Sequence, residues 1–212
     1  MIGDAALDLL ETDVVTGRRT ALGEVAARAL SALAQADVPH AVIGATALGV
    51  RGLPRNTRDL DIVVTIDDAW TTLDALEQAG FASATPVDRQ AEPEPMYVMT
   101  SPEGTDVDVL VAAGEPESSV IAEAELASVF GVQTPVASLE HLLLMYLYSN
   151  QLKHLGDFAR IVTEGEPDLV TVERYLSDVH PEMLGAFRDR VRDARTPRPA
   201  PDRPTRRRSR SR

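Results

Sequence analysis

HAVIGATALGVRGLPRNTRDLDIVV, residues 40–64, is the stretch whose reading decides the fold. HAVIG (40–44) is short and apolar, with β-branched Val42 and Ile43, which predicts a buried strand. ATALGVRG (45–52) reads as a short helix that Pro54 closes. DLDIVVTI (59–66) alternates and is rich in β-branched residues, so a second strand is expected there. Alternate residues of a strand share a face, so the Asp59 and Asp61 carboxylates project together, their Cα atoms roughly 6.6 Å apart at ~3.3 Å per residue. Leu60, Ile62 and Val64 make the opposite face apolar, and burying that face fixes the register of the two acids. Carboxylates so placed suit a hard cation such as Mg²⁺, which takes oxygen ligands. Two such ions can clamp the attacking and leaving oxygens of a phosphoryl transfer. Upstream, Gly44 stands at a strand-to-helix turn, where a missing side chain lets a phosphate chain approach backbone N–H groups.

Working outward, TALGEVAARALSALAQA and its neighbours (20–36) carry apolar residues at helical spacing, and a further helix is expected at 4–11. A helix follows Asp67 and stops at Gly80. The proline-rich 85–95 reads as a loop. MYVMTS (96–101) and TDVDVLVA (105–112) form a predicted hairpin around Pro102-Glu103-Gly104. In its second strand Asp106 and Asp108 again share a face, and either could complete a metal site if this strand lies beside 59–66. A helix at 118–127 and a strand at 129–136 come next. Ser138 is a good N-cap for a helix whose apolar face is Leu139, Leu142, Leu143, Met145 and Tyr146. Helices at 151–163, 170–178 and 181–194 complete the expected order. The fold class is therefore α+β: a small mixed sheet flanked by helices, then a C-terminal helical segment.

Composition narrows the function classes. The chain has no cysteine, which excludes disulfides and thiolate metal sites and suits a reducing, cytoplasmic setting. The acidic opening MIGDAALDLLETDVV does not read as a secretory leader, and no apolar run approaches the ~20 residues of a membrane helix. Residues 195–212 hold eight Arg and one Asp, a net +7; removing it from the total of −12 leaves −19 on the other 194 residues. An acidic body repels nucleic acid unless cations or a basic element intervene, and the Arg-rich tail, expected to be disordered, is such an element. Lys153 is the one lysine among 21 basic residues. The four histidines show no metal-ligand spacing, and neither a phosphate-binding G-x-x-x-x-G-K-[ST] loop nor a G-x-S-x-G elbow is present.

Residues 40–64 resemble the signature of the polymerase-β-like nucleotidyltransferase superfamily: a strand, a small-residue pair, a gap, then D-x-D. Arg55-Asn56-Thr57-Arg58-Asp59-Leu60-Asp61 resembles the branch of bacterial abortive-infection toxins and minimal nucleotidyltransferases. PVASLEHLLLMYLYSNQLKHLGDFARIV (135–162) is similar to that branch's helix followed by a K-D-x-x-D turn and helix. The resemblance implies that Asp59 and Asp61 bind Mg²⁺, two ions in all, with a nucleoside triphosphate. Asp108 would be the third ligand and general base. Gly44, Ala45 and Thr46 would cradle the phosphates, Lys153 would neutralise them, and Asp157 would orient Lys153 or a substrate group. It implies a nucleotidyltransferase core with N-terminal helices over 1–136, a helical segment over 137–194 and the tail over 195–212. The implied acceptor is a hydroxyl of tRNA, a protein or a small molecule, and the implied setting is a bacterial toxin–antitoxin or phage-defence pair with a cognate antitoxin. Three positions depart from the family pattern: Ala45 stands for a second glycine or serine, Tyr146 for a lysine, and His154 for an aspartate. They motivate the alternative of an inactive nucleotide-binding or protein-interaction module of the same fold.

Overall fold

The computed structural model describes residues 21–149 and 151–196. The helix expected at 4–11 and the Arg-rich tail beyond Thr196 lie outside them. Helix α1 (Ala21–Gln35) leads to β1 (His40–Val42), α2 (Gly44–Val50), β2 (Asp59–Thr65), α3 (Ala69–Gln78), β3 (Ala82–Ser83), β4 (Met96–Thr100) and β5 (Asp106–Ala112). Then follow α4 (Glu117–Ala122), β6 (Glu125–Val129), β7 (Val132–Val136), α5 (Leu139–Tyr148), α6 (Leu152–Glu164), α7 (Leu169–Val179) and, after one 3₁₀ turn, α8 (Leu184–Arg195).

The strands form one mixed sheet in the order β3-β4-β5-β2-β1-β7-β6. β1 and β2 are antiparallel, with Ala41 opposite Val63, while β2 and β5 run parallel. The hairpin expected at 96–112 is present as β4–β5, and Gly104 supplies the left-handed residue of its turn at φ +82°. The apolar face of β2 works as anticipated: Leu60, Ile62 and Val64 have no exposed surface. They join Leu30 and Leu33 of α1, Leu73 and Leu76 of α3, and Val107 and Val109 of β5 in one core.

One stretch departs from the sequence reading. Residues 118–127 were expected to be helical throughout and 129–136 to be a single strand. The helix ends at Ala122, and 125–136 is a hairpin instead. Phe130 and Gly131 both have positive φ, +50° and +81°. That tight turn, together with pairing to β7, outweighs the helical preference of an Ala- and Glu-rich run.

The C-terminal helices dock on the core. Ser138 caps α5, its Oγ accepting the His141 N–H at 3.1 Å. Phe158 of α6 meets Phe187 of α8 edge-on with ring centroids 5.9 Å apart. The Arg190 guanidinium donates to the carbonyl at the end of α5, Tyr146 O, at 2.8 Å. Among the described residues no helix is long and apolar enough to cross a membrane.

Because Ile62 is completely buried between the sheet and its helices, Ile62→Ala is expected to lower stability by about 2–5 kcal/mol. In thermal denaturation that is a fall in Tm of about 2–4 °C per kcal/mol.

Candidate active site

Parallel pairing of β2 and β5 places Asp59 opposite Asp106 and Asp61 opposite Asp108. Four carboxylates therefore stand on one face of two strands that are about 4.8 Å apart. Like charges in such positions destabilise a sheet, and the surroundings answer each acid differently. The Thr57 hydroxyl donates to Asp59 Oδ1. The Thr100 hydroxyl donates to Asp106 Oδ1 at 2.7 Å. Asp61 and Asp108 instead line a cleft of about 340 Å³. Strand spacing alone left Asp106 and Asp108 as alternatives, and the resemblance implied Asp108; the structure gives Asp106 a hydroxyl partner and puts Asp108 in the cleft with Asp61.

Burial, then the charges of Asp59 and Asp108, push the Asp61 carboxyl up to about 6, although Lys153 and Arg55 pull the other way. Burial and the neighbouring Asp59 and Asp106 also raise Asp108 above the usual carboxylate range, against Lys153. Among the described residues no three His, Cys, Asp or Glu side chains converge at coordinating distance. The donor set nonetheless fits a hard divalent cation. Its oxygens are carboxylates in adjacent register, their charges repel one another, and a cation would relieve that repulsion.

Gly44 is fixed by two independent requirements. Its φ is +63°, which L side chains rarely adopt, and a Cβ there would lie 2.6 Å from Asp61 Cγ and closer still to Oδ2. The preceding Ile43 N–H donates to Asp61 O at 3.0 Å, which holds this turn against β2. Gly44 lines the cleft, whereas Ala45 and Thr46 have no exposed surface and are not in its wall.

The opposite wall comes from the end of α5 and the start of α6. Lys153, His154, Ser149 and Tyr146 line it. The Tyr146 ring stacks on His154, centroids 4.6 Å apart and 21° between planes. The Tyr146 hydroxyl is buried and lies close to Arg55 without a hydrogen bond of normal geometry. Burial, and next the Asp157 charge, raise its pKa far enough that it stays protonated. His154 Nδ1 lies 2.6 Å from Ser149 Oγ. Burial, then Lys153, holds its pKa below the usual histidine value. Asp157, by contrast, faces inward: it is 3% exposed and pairs with Arg55 Nε at 2.9 Å.

Arg55 flanks the D-x-D strand, a place from which it could touch phosphate or acceptor or pair with surface acids; its partner is the buried Asp157. The cleft's apolar floor, Met96 and Leu110, which are opposite one another in the β4–β5 ladder, was not among the expected site residues. A signal for them existed: Leu110 is two residues beyond Asp108 and so on the same face.

No protein-family model and no curated protein matches the chain. Among solved structures it is similar to the antibiotic-resistance factor ANT(2'')-Ia, in complex with adenylyl-2''-tobramycin. There the identity is 17% and the TM-score 0.46, over 81% of this chain and 97% of that one. It is also similar to a candidate nucleotidyltransferase of Thermotoga maritima, with 15% identity and a TM-score of 0.49 over 66% of this chain and 92% of that one. The lincosamide antibiotic adenylyltransferase LnuA with lincomycin bound shows 12% identity and a TM-score of 0.47, over 66% of this chain and 96% of that one.

The raised Asp61 carboxyl sets a pH dependence. An unfolded chain ionises this group near 3.8, the folded one near 6. Between those values the folded state holds the extra proton, so stability falls as pH rises through the window and stays lower above it, by roughly 3 kcal/mol. Asp61→Asn removes the buried charge. Its Tm is expected to exceed that of the wild type at pH 7.5 by several degrees, with the gain gone at pH 4. Gly44→Ala is expected to do the opposite and lower Tm at both pH values. The left-handed backbone alone costs about 1–2 kcal/mol, and the overlap with Asp61 adds to it.

Proposed function

We propose that this protein is a Mg²⁺-dependent nucleotidyltransferase that moves a nucleoside monophosphate from a nucleoside triphosphate to an acceptor hydroxyl. The observation that carries this reading is the in-register pairing of Asp59 and Asp61 with Asp106 and Asp108, beside a glycine whose side chain is excluded by Asp61 itself. Asp59, Asp61 and Asp108 are the residues that would hold the metal. Bound there, Mg²⁺ would supply neutralisation of phosphate oxygens and of the charge that develops in transfer.

The chain's own groups divide the remaining work. Gly44, in the cleft wall, leaves Asp61 its place against the turn between β1 and α2, where the phosphates would lie. Lys153, whose charge reaches Asp61 and Asp108 across the cleft, draws the β- and γ-phosphates to the opposite wall. The acceptor oxygen attacks the α-phosphorus, the bond to the bridging oxygen breaks, and pyrophosphate leaves. The acceptor's proton passes to a carboxylate oxygen of Asp108, which lines the cleft beside Asp61. Most of the acceleration comes from holding the groups in line and from neutralising charge. The acceptor is a hydroxyl of tRNA, a protein or a small molecule. A role as the toxin of a two-gene bacterial system, silenced by its companion, is the biological setting we assign to it.

Incubation with each α-labelled nucleoside triphosphate, Mg²⁺ and cell extract is expected to place label on an acceptor, with transfer lost in Asp59→Ala and Asp61→Ala. Mg²⁺ is also expected to raise the Tm of the wild type and leave that of Asp61→Asn unchanged. Equal labelling by wild type and variants would sink the assignment. Nucleotide binding without transfer would favour the inactive-module reading that Ala45, Tyr146 and His154 raise.

A further inference from the structure

Asp157 lies one helical turn after Lys153, so the two share a face of α6. Yet Asp157 is not in the cleft's wall, and its carboxylate is buried against Arg55 Nε at 2.9 Å. Arg55 belongs to the segment between α2 and β2, two residues before Thr57, whose hydroxyl holds Asp59. A second tie joins the same two elements: Arg160 Nη1 donates to Pro54 O at 3.3 Å. The neighbouring His154 is anchored as well, stacked on Tyr146 and within 2.6 Å of Ser149 Oγ.

We propose that Arg55 and Asp157 are positioning residues whose buried ion pair fastens the first turns of α6 to the segment leading into β2, so that Lys153 and the Asp59–Asp61 pair keep one fixed separation. The first turn of a helix has no intrahelical acceptors for its N–H groups and frays readily. Lysine adds four flexible methylenes. A cation delivered from such a place needs its helix tethered if it is to meet the same phosphate oxygens each time. A buried ion pair supplies little net stability but a defined geometry, and loss of one partner leaves the other charge uncompensated. Asp157 thus acts through Lys153 and does not touch nucleotide. The effect on transfer rests on the nucleotidyl-transfer reading; the clamp itself does not.

Two measurements separate the clamp from the chemistry. The first is amide hydrogen exchange of the whole protein. Asp157→Asn and Arg55→Gln are each expected to speed exchange over residues 152–158 by about tenfold or more, with β2 and β5 unchanged, as for local opening of one element. Arg55→Lys, which keeps the charge, should restore part of the protection. The second is a double-mutant cycle on transfer. Each single variant is expected to lower kcat by about ten- to a hundredfold, the scale for an ångström of misplacement. In a Lys153→Ala background Asp157→Asn should not lower it further, because the group it positions is already gone.

Unchanged exchange in both variants would overturn the clamp. So would an Asp157→Asn loss that persists undiminished without Lys153, since that marks direct contact with ligand. If Asp157→Asn does not fold, Arg55→Gln at the more exposed partner carries the exchange measurement, which decides the clamp. If the wild type transfers no nucleotide at all, the reaction assignment is what fails, and exchange still decides the clamp.

Discussion

β2 and β5 run in the same direction and in register, and that pairing forces acids onto acids. Asp59 meets Asp106 and Asp61 meets Asp108 across a spacing that no side-chain rotation can much enlarge. Most of the polar structure nearby answers this crowding. Thr57 and Thr100 donate hydroxyls to the outer two carboxylates, Lys153 and Arg55 bring positive charge, and Gly44 withdraws its side chain to leave Asp61 a place. Burial first, and then what is left of the repulsion, raises the pKa of Asp61 and Asp108. The sheet tolerates the repulsion because the reverse face of β2 is wholly buried apolar surface, which a one-residue slip would turn out to solvent.

The second wall of the cleft is remote in sequence. It comes from the end of α5 and the start of α6, which are held in place by contacts of three kinds. Aromatic packing joins Phe158 to Phe187, a guanidinium–carbonyl bond joins Arg190 to Tyr146, and the buried pair joins Arg55 to Asp157. The cleft is thus divided by chemistry: acids and a bare turn on one side, a cation and stacked rings on the other, with Met96 and Leu110 as an apolar floor.

How much of this was legible in the sequence depended on whether a feature is local. The D-x-D strand, the β4–β5 hairpin and the Ser138 cap were readable because alternation, turn residues and capping act within a few residues. The 125–136 hairpin was not, since it depends on Phe130 adopting a left-handed conformation that bulky residues seldom take. Spacing alone could not separate Asp106 from Asp108, because the Thr100 hydroxyl that engages Asp106 comes from another strand. The inward turn of Asp157 needed Arg55, 102 residues away. Spacing can nominate side chains for a face; which of them a distant partner has already claimed is decided only in three dimensions.

The chain's lysine count carries one more consequence. Its single ε-amine stands in the wall of the cleft, while the other 20 basic side chains are guanidinium groups that ordinary acylating agents leave alone. Any acetylation or other acyl capture of a lysine side chain in this protein therefore falls on the one cation opposite Asp61 and Asp108. It would convert that cation to a neutral amide, so a reagent or enzyme with no selectivity of its own becomes site-directed by the protein's amino-acid usage.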